Sequence, residues 1–78
     1  METSDFGLMV ALKTIGFPIK KVSNDIYDRN KKIAYFDMTD ELDETVKKYW
    51  KGELMVDAKT LSNNIRDVKT ELQIRSQF

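Results

Sequence analysis

The chain of 78 residues contains no cysteine and no histidine. Without cysteine there are no disulfides, no thiolate metal sites and no thiol nucleophile. Without histidine, the commonest general base and metal ligand is missing as well. Ser4, Ser23, Ser62 and Ser76 therefore have no imidazole to activate them. Gly7, Gly16 and Gly52 are too far apart to form a phosphate-cradling loop. An excess of one charge is also lacking, because 13 Lys and Arg balance 13 Asp and Glu. That balance disfavours a general polyanion binder. No apolar run approaches the roughly 18 residues that would span a bilayer. No basic stretch leads into an apolar one as in a secretory signal. The expectation is a cytoplasmic protein with no membrane contact, no metal and no cofactor.

What is present is a 41% apolar, 33% charged chain of single-domain length. A chain of this size buries only about 60 to 65% of its unfolded surface, so its core is thin. One domain is expected over residues 1–78, with an ordered core over about 4–73 and a tail over 74–78. Thr3, Ser4 and Asp5 offer helix N-caps, and Gly16 with Pro18 is a stop signal. A first helix is thus predicted over 5–15, with Leu8, Met9, Leu12 and Ile15 as its buried stripe and Ala11 allowing close approach. Between Phe17 and Ile26 the pattern is mixed, and Lys20 with Lys21 suits the edge of a sheet. Residues 28–32 form a polar tip. Residues 33–38 then alternate as a strand, with Ala34, Phe36 and Met38 on one face.

Thr39 followed by Asp40, Glu41, Asp43 and Glu44 opens a second helix, which Lys47, Lys48 and Lys51 close before Gly52. Acids at the start and bases at the end complement the helix dipole over 40–51. Leu54, Met55 and Val56 form an apolar link. Asp57 caps a third helix in which Ala58, Leu61, Ile65, Val68 and Leu72 recur at steps of three and four. From Gln73 the chain is expected to fray, with Phe78 an exposed terminal aromatic. The predicted fold is α+β: helix, β-hairpin, helix, helix, with the helices packed on one face of a small antiparallel sheet. The predicted core is Leu8, Leu12, Ile15, Phe36, Met38, Leu42, Val46, Leu61, Ile65, Val68 and Leu72. A two-stranded sheet is marginal alone, so a second copy of the chain, as a homodimer, is one expected partner.

Asp37, Asp40, Glu41, Asp43 and Glu44 are better read as a solvated helix start than as a metal site, because the calcium-loop spacing is missing. Residues 13–32 hold six basic residues against Asp25 and Asp28, a local excess of four. With Tyr27 and Tyr35 nearby, that hairpin could grip a phosphate backbone while an aromatic stacks on a base. Lys20, Lys21 and Arg29 are its nucleic-acid candidates. Asn63, Asn64 and Arg66 in the third helix are residue types that read base edges, although the connector before them is long for a helix-turn-helix. Trp50 beside Tyr49 suits an interface anchor as well as a core. The expected function is non-enzymatic binding to a protein partner through Tyr27, Lys31, Lys32, Tyr35 and Trp50. The alternative is a nucleic-acid-binding module using the basic hairpin or the third helix.

Several segments together resemble a known family: Asp5-Phe6-Gly7-Leu8, Ala11-Leu12-Lys13, Gly16-Phe17, Ala34-Tyr35-Phe36-Asp37, Tyr49-Trp50-Lys51-Gly52-Glu53-Leu54, Val56-Asp57 and Lys69. The chain is similar, over about 5–72, to a domain of unknown function found in small proteins of phages and prophages of Gram-positive bacteria. The shared motifs are structural and carry no catalytic residues. The resemblance implies a phage or prophage origin and host machinery as the source of a partner.

Overall fold

A computed structural model describes residues 1–28 and 30–75. Six elements follow in order: β1 (Glu2–Thr3), α1 (Phe6–Ile15), β2 (Lys21–Asn24), β3 (Lys32–Tyr35), α2 (Asp40–Lys51) and α3 (Ala58–Arg75). The fold is α+β, with three helices and an antiparallel sheet in the order β1-β3-β2.

Local chemistry sets the helix ends. The Asp5 carboxylate accepts the Leu8 N–H at 2.9 Å, and the Thr39 hydroxyl accepts that of Leu42 at 3.0 Å. Asp57 takes the Thr60 N–H at 2.8 Å and the Thr60 hydroxyl at 2.7 Å. Each satisfies a donor that the first turn of a helix leaves without a partner. At the far end of α2, Gly52 adopts the left-handed φ of 72°. This lets the Gly52 and Glu53 amides reach back to the Tyr49 and Lys48 carbonyls.

The sheet has one strand more than the predicted hairpin. β1 pairs with β3 through Glu2↔Tyr35 and Thr3↔Ala34, so β3 is central and β2 is an edge strand. The Phe36 amide donates to the Met1 carbonyl at 2.7 Å, and the Met1 amino group donates to the Phe36 carbonyl at 2.9 Å. Two residues cannot display an alternating pattern, so β1 has no signature in the local sequence. β3 also ends earlier than the predicted strand over 33–38.

Helix α1 is the centre of the molecule. Its run Leu8, Met9, Val10, Ala11 and Leu12 is buried on every side, because α1 packs against α2, α3 and β1 together. Ile19, Ala34, Phe36, Leu42, Val68 and Leu72 complete the core, with Val46 and Leu61 partly buried against it. Three predicted core residues lie elsewhere. Ile15 is 41% exposed at the end of α1, where the chain turns away at Gly16. Met38 is 61% exposed because the backbone has left the sheet before it, so strand alternation no longer fixes its face. Ile65 is 42% exposed in the N-terminal half of α3, where the helix borders an open groove.

The third helix extends past Gln73. It continues to Arg75, whose guanidinium donates to the Ile19 and Lys20 carbonyls, each at 2.8 Å, and to Glu71 at 3.0 Å. Glu71 also pairs with Lys13 at 3.1 Å. These contacts tie the last turn of α3 to the approach to β2, which outweighs the polar composition of the segment. Phe78, expected as an exposed aromatic, lies outside the described residues. No described helix is long and apolar enough to cross a membrane.

Candidate protein-binding groove

Helices α2 and α3 both rest on α1, and the connector between them, residues 52–57, bridges the space that they leave. This space is a groove of about 410 Å³. Phe6, Gly7, Val10 and Ala11 of α1 form its floor, Tyr49 and Gly52 one wall, and Leu61 and Ile65 of α3 the other, with Leu54 and Val56 of the connector closing one side. No ionisable side chain other than the Tyr49 phenol lines it. The Leu61 and Ile65 positions belong to the same stripe as Val68 and Leu72, which explains why half of a core-type stripe reaches the surface here.

Tyr49 is fixed at the groove wall by its surroundings. Its hydroxyl donates to the Asp5 carboxylate at 3.4 Å, the carboxylate that also caps α1. Burial, followed by the nearby negative charge of Asp5, raises the pKa of the phenol above its usual value of 10.0. A Cβ on Gly7 would stand 2.5 Å from the Tyr49 hydroxyl oxygen. Glycine at that position therefore allows the phenol to reach the first turn of α1.

The residues expected to contact a partner are spread over separate parts of the surface. Tyr27 is 92% exposed in the β2–β3 loop, where Asp25 accepts its amide at 2.8 Å. Lys31 and Lys32 border a smaller hollow of about 320 Å³ with Ser4, Phe6, Met9, Asn30 and Leu72. Lys32 also donates to Asn24 at 2.7 Å. Tyr35 is half-buried at the other end of β3, with the Lys21 ammonium 5.3 Å from its ring centroid and its hydroxyl 3.3 Å from that of Ser23. Trp50 is 61% exposed on α2 and stands edge-on to Tyr49 at 5.0 Å between ring centroids. It reaches the groove only through that neighbour.

The nucleic-acid candidates are likewise divided. Lys20 lies 3.5 Å from Asp37, and Lys21 covers Tyr35. Asn63 and Arg66 are exposed on α3, whereas Asn64 donates to the Thr14 hydroxyl at 3.0 Å. Arg29 lies outside the described residues. Among the described residues, no group of three acidic side chains is placed to hold a metal ion.

Comparison with known families places these elements in context. A family described as a domain of unknown function, DUF5659, matches residues 1–74. The chain belongs to that family. The match takes in β1 and every residue that lines the groove, so the groove is internal to the DUF5659 domain. No curated protein and no solved structure matches the chain. The groove had one sequence signal: the apolar link Leu54-Met55-Val56 immediately before Asp57, followed by the Leu61 and Ile65 stripe. Its floor was hidden because Phe6 and Val10 read as ordinary members of a buried helix.

Proposed function

We propose that this DUF5659 domain is a non-enzymatic binding protein and that its groove accepts an apolar segment of a partner protein. The observation that carries this reading is the groove itself, a hollow of about 410 Å³ with a mainly apolar lining, open to solvent beside the half-exposed Ile65. Apolar concavities with few polar groups are where proteins take up side chains of their ligands. Trp50, beside the wall residue Tyr49, supplies a large exposed aromatic of the kind that anchors interfaces. The reading extends to a phage or prophage source, a cytoplasmic setting and a host protein as partner, supported by the resemblance of the residue string to small phage and prophage proteins and by the absence of cysteine. A homodimer through the same surface is a further form of this proposal.

The test is selection of a random peptide library on the immobilised domain, followed by counter-screening on Ile65→Glu. Ile65 is half-exposed, so the variant is expected to keep its fold, which thermal melting checks. Ligands that bind the wild type and lose the variant support the groove. Ligands indifferent to Ile65, or none at all, contradict it. The alternative, nucleic acid held by Lys20, Lys21 and neighbouring residues, would show as DNA or RNA binding that weakens steeply with salt.

A further inference from the structure

The residues around the groove identify the kind of segment that it fits. Along the connector, burial alternates: Glu53, Met55 and Asp57 are exposed, while Leu54 and Val56 turn inward to line the groove. That is the alternation of a strand. The chain is anchored at both ends, by the Glu53 amide on the Lys48 carbonyl and by the Asp57 carbonyl under the Leu61 amide. Between these anchors, the backbone N–H and C=O groups of Leu54, Met55 and Val56 have no protein partner among the described residues. A short strand-like edge with open hydrogen-bonding groups thus runs beside an apolar hollow. A peptide backbone added alongside such an edge satisfies both sets of groups and places alternate side chains in the hollow.

The charges at the rim select the sign of the ligand. Lys48 lies one helical turn before Gly52 on the α2 wall, and Lys69 lies one turn after Ile65 on the α3 wall. Both are exposed, and neither has an ion-pair partner among the described residues. Of the connector acids, Asp57 is engaged by Thr60, and Glu53 belongs to the outward set with Met55. Two lysines without ion-pair partners among the described residues therefore stand one helical turn from groove-lining positions, on the two helices that form its walls.

We infer that the groove binds an acidic partner segment that lies along Leu54–Val56 as an added strand, with alternate apolar side chains inserted and its carboxylates set against Lys48 and Lys69. The inference rests on the reading of the groove as a protein-binding site and names the chemistry of the partner.

Peptides selected from the random library on the wild-type domain provide the test, with two further measurements. The first compares their affinities for wild type and for a Lys48→Glu, Lys69→Glu double variant at low and moderate salt. The second measures analogues of the same peptides with alternate backbone amides N-methylated. The inference predicts that Asp and Glu are enriched beside alternating apolar residues. Charge reversal should weaken binding roughly five- to tenfold, with a smaller difference at higher salt. N-methylation on the pairing edge should weaken it by roughly tenfold. Ligands that require Ile65 but are not acidic, that bind the double variant equally well, or that tolerate N-methylation overturn this inference and leave the groove reading intact. Self-association of the wild type that Ile65→Glu abolishes makes a second copy the occupant and also overturns it. A library with no Ile65-dependent ligand overturns both.

Discussion

The two halves of α3 carry the same apolar stripe and meet different surroundings. In the C-terminal half, Val68 and Leu72 are 0% and 7% exposed, and Arg75 and Glu71 tie that end of the helix to the approach to β2 and to α1. In the N-terminal half, Leu61 is only partly buried and Ile65 is 42% exposed above the groove. Periodicity determines which face of a helix is apolar. Whether a neighbour covers that face depends on elements distant in sequence, and here α2 and the connector leave part of it open. The covered half holds the fold together, and the uncovered half is the surface proposed for binding.

The strongest way to sharpen this contrast is truncation on each side of it. Leu72→Ala is expected to cost about 2 to 4 kcal/mol, because truncating a buried side chain leaves a cavity. Ile65→Ala should cost about 1 kcal/mol or less, since much of that side chain already meets water. Urea unfolding of both variants measures the difference. Equal losses would mean that the groove half is as much part of the core as the other.

The next effect is at the clamp. Arg75→Ala removes the donors to the Ile19 and Lys20 carbonyls and should cost about 1 to 2 kcal/mol, after allowance for partial solvent exposure. Lysine, which lacks the planar fork, should restore only part of the loss. Amide exchange would report faster opening of the last turn of α3 in Arg75→Ala, while the groove residues keep their protection.

Smaller still is the contact at the groove wall. Gly7→Ala alone sets a helix gain of up to about 1 kcal/mol against displacement of the Tyr49 hydroxyl. Combined with Tyr49→Phe, which removes that oxygen, the same substitution should be more stabilising than in the wild-type background. A double-mutant cycle of thermal melts measures this coupling. Additive effects would show that the close approach is not a constraint.

The smallest effect is in pH dependence. Burial and Asp5 raise the Tyr49 pKa, so its protonated form is favoured in the folded state. The resulting stability is fully present below the unfolded value of about 10 and is lost as pH rises through the higher folded value. Ultraviolet titration should show a phenol that ionises later than a free tyrosine and disappears in Tyr49→Phe.

How far the sequence reveals the structure follows from where each element gets its information. Helix α2 is legible to the residue, over 40–51, because Thr39, the first-turn acids and Gly52 are all local. The same holds for the start of α3 at Asp57. β1 is not legible, since its two residues become a strand only by pairing with Tyr35 and Ala34 more than 30 positions away. The end of α3 is not legible either, because Arg75 finds its carbonyl partners at Ile19 and Lys20, 56 and 55 residues earlier. Residue type alone points to Tyr27, Lys31, Lys32, Tyr35 and Trp50 as a contact surface, and of these Lys32 and Tyr35 are half-buried. A concavity assembled from three helices and a connector has no comparable local signature, and only Leu54, Val56, Leu61 and Ile65 hinted at it.

The central claim, that the uncovered half of the α3 stripe is the binding surface, is tested most directly by methyl and amide chemical shifts of the labelled domain on addition of a selected ligand. The account predicts perturbations at Val10, Leu54, Val56, Leu61 and Ile65, with Val68 and Leu72 unmoved. Perturbations confined to Tyr27, Lys31 and Lys32 at the hairpin tip, with Ile65 unmoved, would contradict it.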